Sequence, residues 1–215
     1  LRNHSKSGAV VDQKHAQFGL RPVEKIVDDT PADFRWTGSR KAIRTYLDNK
    51  DNPLLISFPR TGSHWLRMLM ELYFDSPLLT RSFFKHEHNH YLLLHDHDQD
   101  LAVTANRVVY LYRNPIDTVF SQMKYHRQNL DDSNRIDSWT DCYTAHLSKW
   151  LYHDSFTKRK IVVRYEDLAQ NPARIIERLC QFFCLPFDAK RAEQTVGMVN
   201  KNLVKSKTSK HDPQV

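Results

Sequence analysis

Three short apolar runs decide what this chain folds into: "LLISF" at 54–58, "RVVYLY" at 107–112 and "KIVVRY" at 160–165. Unbroken apolar runs of this length suit strands buried on both faces, which occur in parallel sheets. Each run leads into a helical pattern: "SHWLRMLMELYF" (63–74), "RNPIDTVFSQMKYH" and "NPARIIERLCQFF" (171–183). Asn114 suits a helix cap, Pro115 its first turn and Asp117 its positive end. Ile175, Ile176, Leu179 and Phe183 fall on one face. Strands alternating with helices predict a three-layer α/β domain, with a central, mostly parallel sheet flanked by helices. A short helix is expected near Ser39–Asn49, and Arg67 and Glu71 form an i,i+4 pair within 63–74. In "WTDCYTAHLSKWLYH" (139–153), Trp139, Tyr143, His146, Leu147 and Trp150 recur at helical spacing, which predicts core packing.

The 215 residues suffice for one domain. Residues 1–50 read as a weakly patterned segment packed on or flanking a domain that spans 51–215. No apolar run nears the roughly 20 residues that span a bilayer, and the opening residues do not resemble a signal peptide. A cytoplasmic location is therefore expected. Cys180 and Cys184, one helical turn apart beside two phenylalanines, read as buried free thiols in a reducing compartment. The formal charge of +7 favours anionic partners. Nucleotides, sulfated or phosphorylated substrates and acidic membrane surfaces fit; nucleic acid is not expected.

"FPRTGSHW" (58–65) joins the first strand to its helix. In open parallel sheets ligands bind outside the carboxyl ends of strands, where a helix start offers free N–H groups to an anion. Gly62 permits close backbone approach, Ser63 adds a hydroxyl and Arg60 a fixed charge. A phosphate-binding loop follows, although not a Walker A, which needs a second glycine and a Lys–Ser/Thr pair. Arg113 ends the second strand eight residues before Ser121. Two helical turns, roughly 11 Å, separate them, so a long arginine can share a phosphate with that serine. Tyr165 ends the third strand as an aromatic able to meet a base.

These motifs resemble those of the sulfotransferases that use 3′-phosphoadenosine 5′-phosphosulfate (PAPS), whose domain is P-loop-like and binds a nucleotide. "PRTGSHW" is similar to the family's 5′-phosphosulfate loop, P-K-S-G-T-T-W. "RNPIDTVFS" is similar to its 3′-phosphate motif, and "YEDLAQNPARIIERLCQFFCLPF" to its Y-E-D-L stretch and following helix. The resemblance implies transfer of the sulfuryl group from PAPS to an acceptor hydroxyl, with adenosine 3′,5′-bisphosphate (PAP) as product and no metal. It implies that Arg60 meets the 5′-phosphate and bridging oxygen, while Thr61, Gly62, Ser63 and His64 cradle the phosphosulfate. Trp65 would stack on adenine, Tyr165 and Thr195 would lie near it, and Arg113 with Ser121 would hold the 3′-phosphate. Arg60 stands where the family more often has lysine, and His64 where it has threonine. The family's late basic loop is not clear here, and Lys205, Lys207 and Lys210 are its local candidates.

Sulfuryl transfer is an in-line displacement that needs fixed positive charge at the leaving oxygen and a base for the acceptor hydroxyl. In much of the family that base is the histidine of K-T-H. The stretch "KHEHNHYLLLHDHD" (85–98) offers two matches. His97, third in "HDH" with His95 at the lysine's place, follows a short strand expected at Tyr91–Leu94 and is favoured. Glu87, third in "KHE", and His86 are the alternatives. A zinc site from His86, His88 and His90 stays open, but strand parity places His95 and His97 on the opposite side. Lys124, Tyr125, His126, Trp139, His146 and Trp150 are candidates for an acceptor cleft, with a carbohydrate or glycolipid hydroxyl as acceptor. The alternatives are an ATP- or GTP-dependent kinase-like protein, a His-rich metal-dependent enzyme and a basic module binding nucleic acid or acidic glycans.

Overall fold

The computed structural model describes residues 38–84 and 90–208. Helix α1 (Arg40–Asp48) precedes β1 (Leu54–Ser57), α2 (Ser63–Phe74), β2 (Leu94–Asp96) and β3 (Arg107–Tyr112). Then come α3 (Pro115–Tyr125), α4 (Ser133–Leu147), a π-turn (Ser148–Tyr152) and β4 (Arg159–Arg164). Helices α5 (Tyr165–Gln170), α6 (Pro172–Phe183), α7 (Ala189–Met198) and α8 (Lys201–Thr208) complete the described chain. Among these residues no helix is long and apolar enough to cross a membrane.

The sheet is parallel throughout, in the order β2-β1-β3-β4. Strand β1 is buried along its whole length because it has a neighbour on each side and helices on both faces. Alternation along the strands divides the core in two. Leu55, Val109, Leu111 and Val163 face α2, α6 and α7. Leu54, Ile56, Val108 and Tyr110 face Trp150 and the apolar side of α1. This is the three-layer α/β architecture read from the sequence. The chain leaves β1 for β2 on one side, then returns across it to β3 on the other. The reversal opens a crevice beyond the carboxyl ends of β1 and β3.

The caps follow the sequence. Ser39 accepts from Ala42 N at 3.1 Å, and Asn114 accepts from Ile116 N at 3.0 Å ahead of Pro115. Four local expectations change. The strand expected at Tyr91–Leu94 forms at Leu94–Asp96 instead. Leu92 N and Leu93 O bond Pro77 O and Leu79 N, while Leu55 pairs with His95 and Ile56 with Asp96. The helix expected at 139–153 starts earlier, at Ser133 under an Asp132 cap, and widens into the π-turn from Ser148. Cys180 is buried, but Cys184 ends α6 exposed, with a left-handed φ of 58°. Arg67 and Glu71 are both buried: Glu71 accepts from Ser82 Oγ, Phe83 N and Phe84 N, and Arg67 donates to Arg81 O.

Candidate active site

The four strand ends carry the chemistry in spatial order: His97 after β2, the 58–62 loop after β1, Arg113 after β3 and Tyr165 after β4. The loop is tightly shaped. Arg60 and Gly62 take left-handed φ values of 68° and 91°, a conformation that costs a non-glycine residue strain. At Gly62 a Cβ would lie 2.5 Å from Tyr165 Cδ2 and Cε2, so the backbone runs against that ring. Thr61 is buried and donates its hydroxyl to Phe58 O at 2.7 Å. Gly62 is the N-cap of α2 and has no side chain to cap it. Trp65 N and Leu66 N bond Gly62 O, while the N–H groups of Ser63 and His64, as at any helix start, have no intrahelical partner.

Arg60 and Arg113 meet in one cleft of about 580 Å³, lined also by Asp117, Phe120, Ser121, Lys124 and Tyr125. Arg60 Nε donates to Ser121 Oγ at 3.3 Å, and its guanidinium lies 4.8 Å from the centre of the Tyr125 ring. Arg113 sits 4.8 Å over the Tyr165 ring and 3.5 Å from Asp117, and its Nε is buried without a hydrogen bond. Tyr143 fixes the Arg113 backbone by donating its hydroxyl to Arg113 O and accepting from Arg113 N. Two guanidiniums against one exposed carboxylate leave the cleft cationic, as an anion site requires.

Trp65 meets Tyr165 edge to face at 6.2 Å and donates its indole N–H to Val199 O at 3.0 Å. Thr195 lies one helical turn before Val199, fully buried, with Oγ1 unpartnered. The structure thus brings together Arg60, the 61–65 loop, Arg113, Ser121 and Tyr165, and links Trp65 to the α7 turn of Thr195 through Val199. Lys205 and Lys207 do not line the cleft. Lys205 is exposed, and Lys207 is buried with its Nζ 5.2 Å from the Phe84 ring. His86, Glu87 and His88 lie outside the described residues, as does Lys210; His90 is exposed.

Beside the loop stands a set of histidines on the α2 side of the sheet. His97 Nδ1 lies 2.6 Å from Ser57 O; a carbonyl only accepts, so Nδ1 carries the proton and Nε2 keeps a lone pair. His95 is engaged at both nitrogens. Arg67 donates to Nδ1 at 3.4 Å, so Nε2 holds the proton and donates to Ser57 Oγ at 2.9 Å. His64 Nε2 accepts from Arg81 at 3.1 Å. Burial, then the charges of Arg81 and Arg67, push His64 down to about 2. Burial lowers His95 well below the usual imidazole range, with Arg67 adding to it. Burial also lowers His97, while its bond to Ser57 O works in the opposite direction. Among the described residues no three His, Cys, Asp or Glu side chains converge in a way that could hold a metal.

His146 and Trp150, candidates for an acceptor cleft on sequence, are instead fully buried in the second core. Of that group, Lys124 and Tyr125 line the cleft, and His126 stacks on Trp139 beside it at 5.2 Å. His146 donates from Nε2 to His97 O at 3.1 Å and accepts at Nδ1 from Tyr110 Oη at 3.0 Å. Burial pushes its pKa down to about 4.

Four histidines are therefore held neutral in the fold, and the unfolded chain takes up their protons first as pH falls. Their contribution to stability is complete above about pH 6.5 and is lost progressively as pH falls below it. For His146 the loss continues to about pH 4. Urea unfolding at stepped pH should show stability falling between pH ~6.5 and ~5, above the range in which ordinary carboxylates titrate. A flat profile there contradicts the histidine assignments.

Sequence reasoning missed the roles of Ser57 and Arg67, which bond His95 and His97, and of Asp98 and Lys149, which hold the loop after His97. One signal was available: Lys149 interrupts the Tyr143–His146–Trp150 stripe, and a lysine on a buried face needs a partner.

Residues 80–214, more than half of the chain, match the family described as "Sulfotransferase domain". The chain is 23% identical over 227 residues to a protein of Flaveria bidentis described as "Flavonol sulfotransferase-like", with 82% of this chain and 73% of that protein covered. Its fold matches the crystal structure of mouse sulfotransferase SULT7A1 complexed with PAP. The TM-score is 0.54 at 16% identity, over 81% of this chain and 73% of that one.

Proposed function

The chain belongs to the sulfotransferase family, and from that premise we propose that it moves the sulfuryl group of PAPS to a hydroxyl of a carbohydrate or glycolipid acceptor. One observation carries the choice of cosubstrate: Arg60 and Ser121, from two motifs far apart in sequence, are 3.3 Å apart in a cleft that Arg113 also lines. That arrangement suits a ligand with two phosphate-bearing ends. The N-terminus of α2 and Arg60 hold the 5′-phosphosulfate, Arg113 and Ser121 the 3′-phosphate, and Trp65 and Tyr165 the adenine. The unpartnered Thr195 Oγ1 supports an adenine contact.

In the proposed reaction the acceptor oxygen attacks sulfur in line as the bond from sulfur to the bridging oxygen breaks. Arg60 and the loop N–H groups take up the charge growing on that oxygen. His97 Nε2 accepts the hydroxyl proton, since Nδ1 is committed to Ser57 O. PAP leaves as a phosphate, so no step calls for a divalent ion. Exposed Tyr125 and half-buried Trp139 support a sugar-binding face beside the cleft.

Calorimetric titration tests the cosubstrate. PAP should bind without Mg²⁺, and Arg113→Ala should lose the preference for PAP over adenosine 5′-monophosphate. A charge-assisted contact of about 1.5–3 kcal/mol corresponds to roughly 10- to 10²-fold. Retained preference counts against the assignment, and Mg²⁺-dependent binding of ATP in place of PAP would favour a kinase-like protein.

A further inference from the structure

The loop that follows His97 is held from beneath by one short stretch of chain. His146, Lys149 and Trp150 sit three and four residues apart, where α4 passes into the π-turn, and all three reach the same loop. His146 donates to His97 O at 3.1 Å. Lys149 Nζ bonds Asp98 Oδ2, Leu101 O and Val103 O, at 2.7, 2.8 and 2.7 Å. Trp150 Nε1 donates to Asp98 Oδ2 at 2.8 Å. Asp98 itself takes a left-handed φ of 42°, so the chain turns sharply directly after His97, a conformation that surrounding contacts must maintain.

We propose that His146 is a positioning residue: it fixes the backbone at His97 and so aims the His97 ring. The inference rests on His97 being the base. The His97 carbonyl, which can only accept, sets the tautomer. With the proton on His146 Nε2, Nδ1 accepts from the Tyr110 hydroxyl, which holds the ring from its other side. The His97 ring is in turn tied to Ser57 O on β1. The base is therefore pinned at both ends, by its own carbonyl to α4 and by its ring to β1. Displacing a reacting group by about 1 Å can cost about 10²-fold in rate, so loss of the His146 bond should lower turnover without touching the cofactor cleft.

The test uses the full chain with two substitutions. His146→Leu removes both hydrogen bonds; His146→Gln can accept from Tyr110 and donate to His97 O. Three quantities are measured: PAP affinity, turnover from PAPS to the best acceptor in a panel of methyl glycosides and 4-nitrophenol, and the His97 ring tautomer by ¹⁵N NMR. The expected result for His146→Leu is a roughly 10- to 10²-fold fall in turnover with PAP affinity unchanged, and a His97 ring that no longer holds its proton on Nδ1 alone. His146→Gln should recover most of both. A folded His146→Leu protein with wild-type turnover and tautomer overturns the proposal. If that variant does not fold, His146→Phe keeps a ring in the core and likewise removes both bonds, and the same unchanged readouts decide against the proposal. Activity retained by His97→Ala would instead sink the base assignment, while the NMR readout still judges the positioning.

Discussion

His97→Ala is expected to lower sulfuryl transfer by about 10²–10⁴-fold, the range for losing a positioned general base, while PAP binds as in the wild type. The binding half follows from placement. His97 stands beyond β2 and touches Ser57, whereas the residues lining the cationic cleft come from the loop after β1, from the residue that follows β3 and from α3. His95 does not substitute, because Arg67 and Ser57 occupy both its nitrogens. Transfer is followed with the acceptor panel described above and PAP affinity by calorimetry. Joint loss of rate and affinity would mean that His97 shapes the cofactor site; an unchanged rate would move the base to Glu87 or His86.

Asp98→Ala is expected to cost about 3–5 kcal/mol of folding stability, the range for stranding one partner of a buried ion pair. Lys149 and Asp98 are 6% and 0% exposed, with Nζ and Oδ2 2.7 Å apart. Removing the carboxylate strands the lysine charge and also takes the acceptor from Trp150 Nε1 and Val103 N. Against the ~5–15 kcal/mol that holds a typical domain together, this is about a fifth of the total at the least. Urea denaturation with the wild type as reference measures it, and a loss under ~1 kcal/mol would show the pair to be dispensable. Converting both partners, as Asp98→Asn with Lys149→Met, should be milder because no charge is left stranded.

The sheet was legible because its central strands β1 and β3 are buried on both faces, which left "LLISF" and "RVVYLY" as apolar runs, while the edge strand β4 showed through the shorter apolar centre of "KIVVRY". The cleft was legible because strand ends are where such sheets bind ligands, and Arg113 and Ser121 are joined by a helix of known rise. The edge strand β2 was displaced toward its polar end, because the apolar Leu92 and Leu93 bond the 77–79 segment while His95 and Asp96 pair with β1. Pairing partners from elsewhere in the chain leave no local trace in composition. The same holds for His146: its helical spacing identified a core position, and nothing in the spacing could reveal that its ring nitrogen meets the carbonyl of His97.

The contact between Gly62 and Tyr165 ties two motifs more than a hundred residues apart into one unit of sequence drift. With a Cβ at 62 projected 2.5 Å from the ring, a lineage cannot exchange the glycine while the tyrosine stays in place. Shrinking the side chain at 165 would relieve the clash but not the positive φ, and would also uncover Trp65 and Arg113, both of which lie against that ring. Related chains should therefore keep the two residues together or lose them together, and a chain with only one of them should lose this arrangement of the cleft.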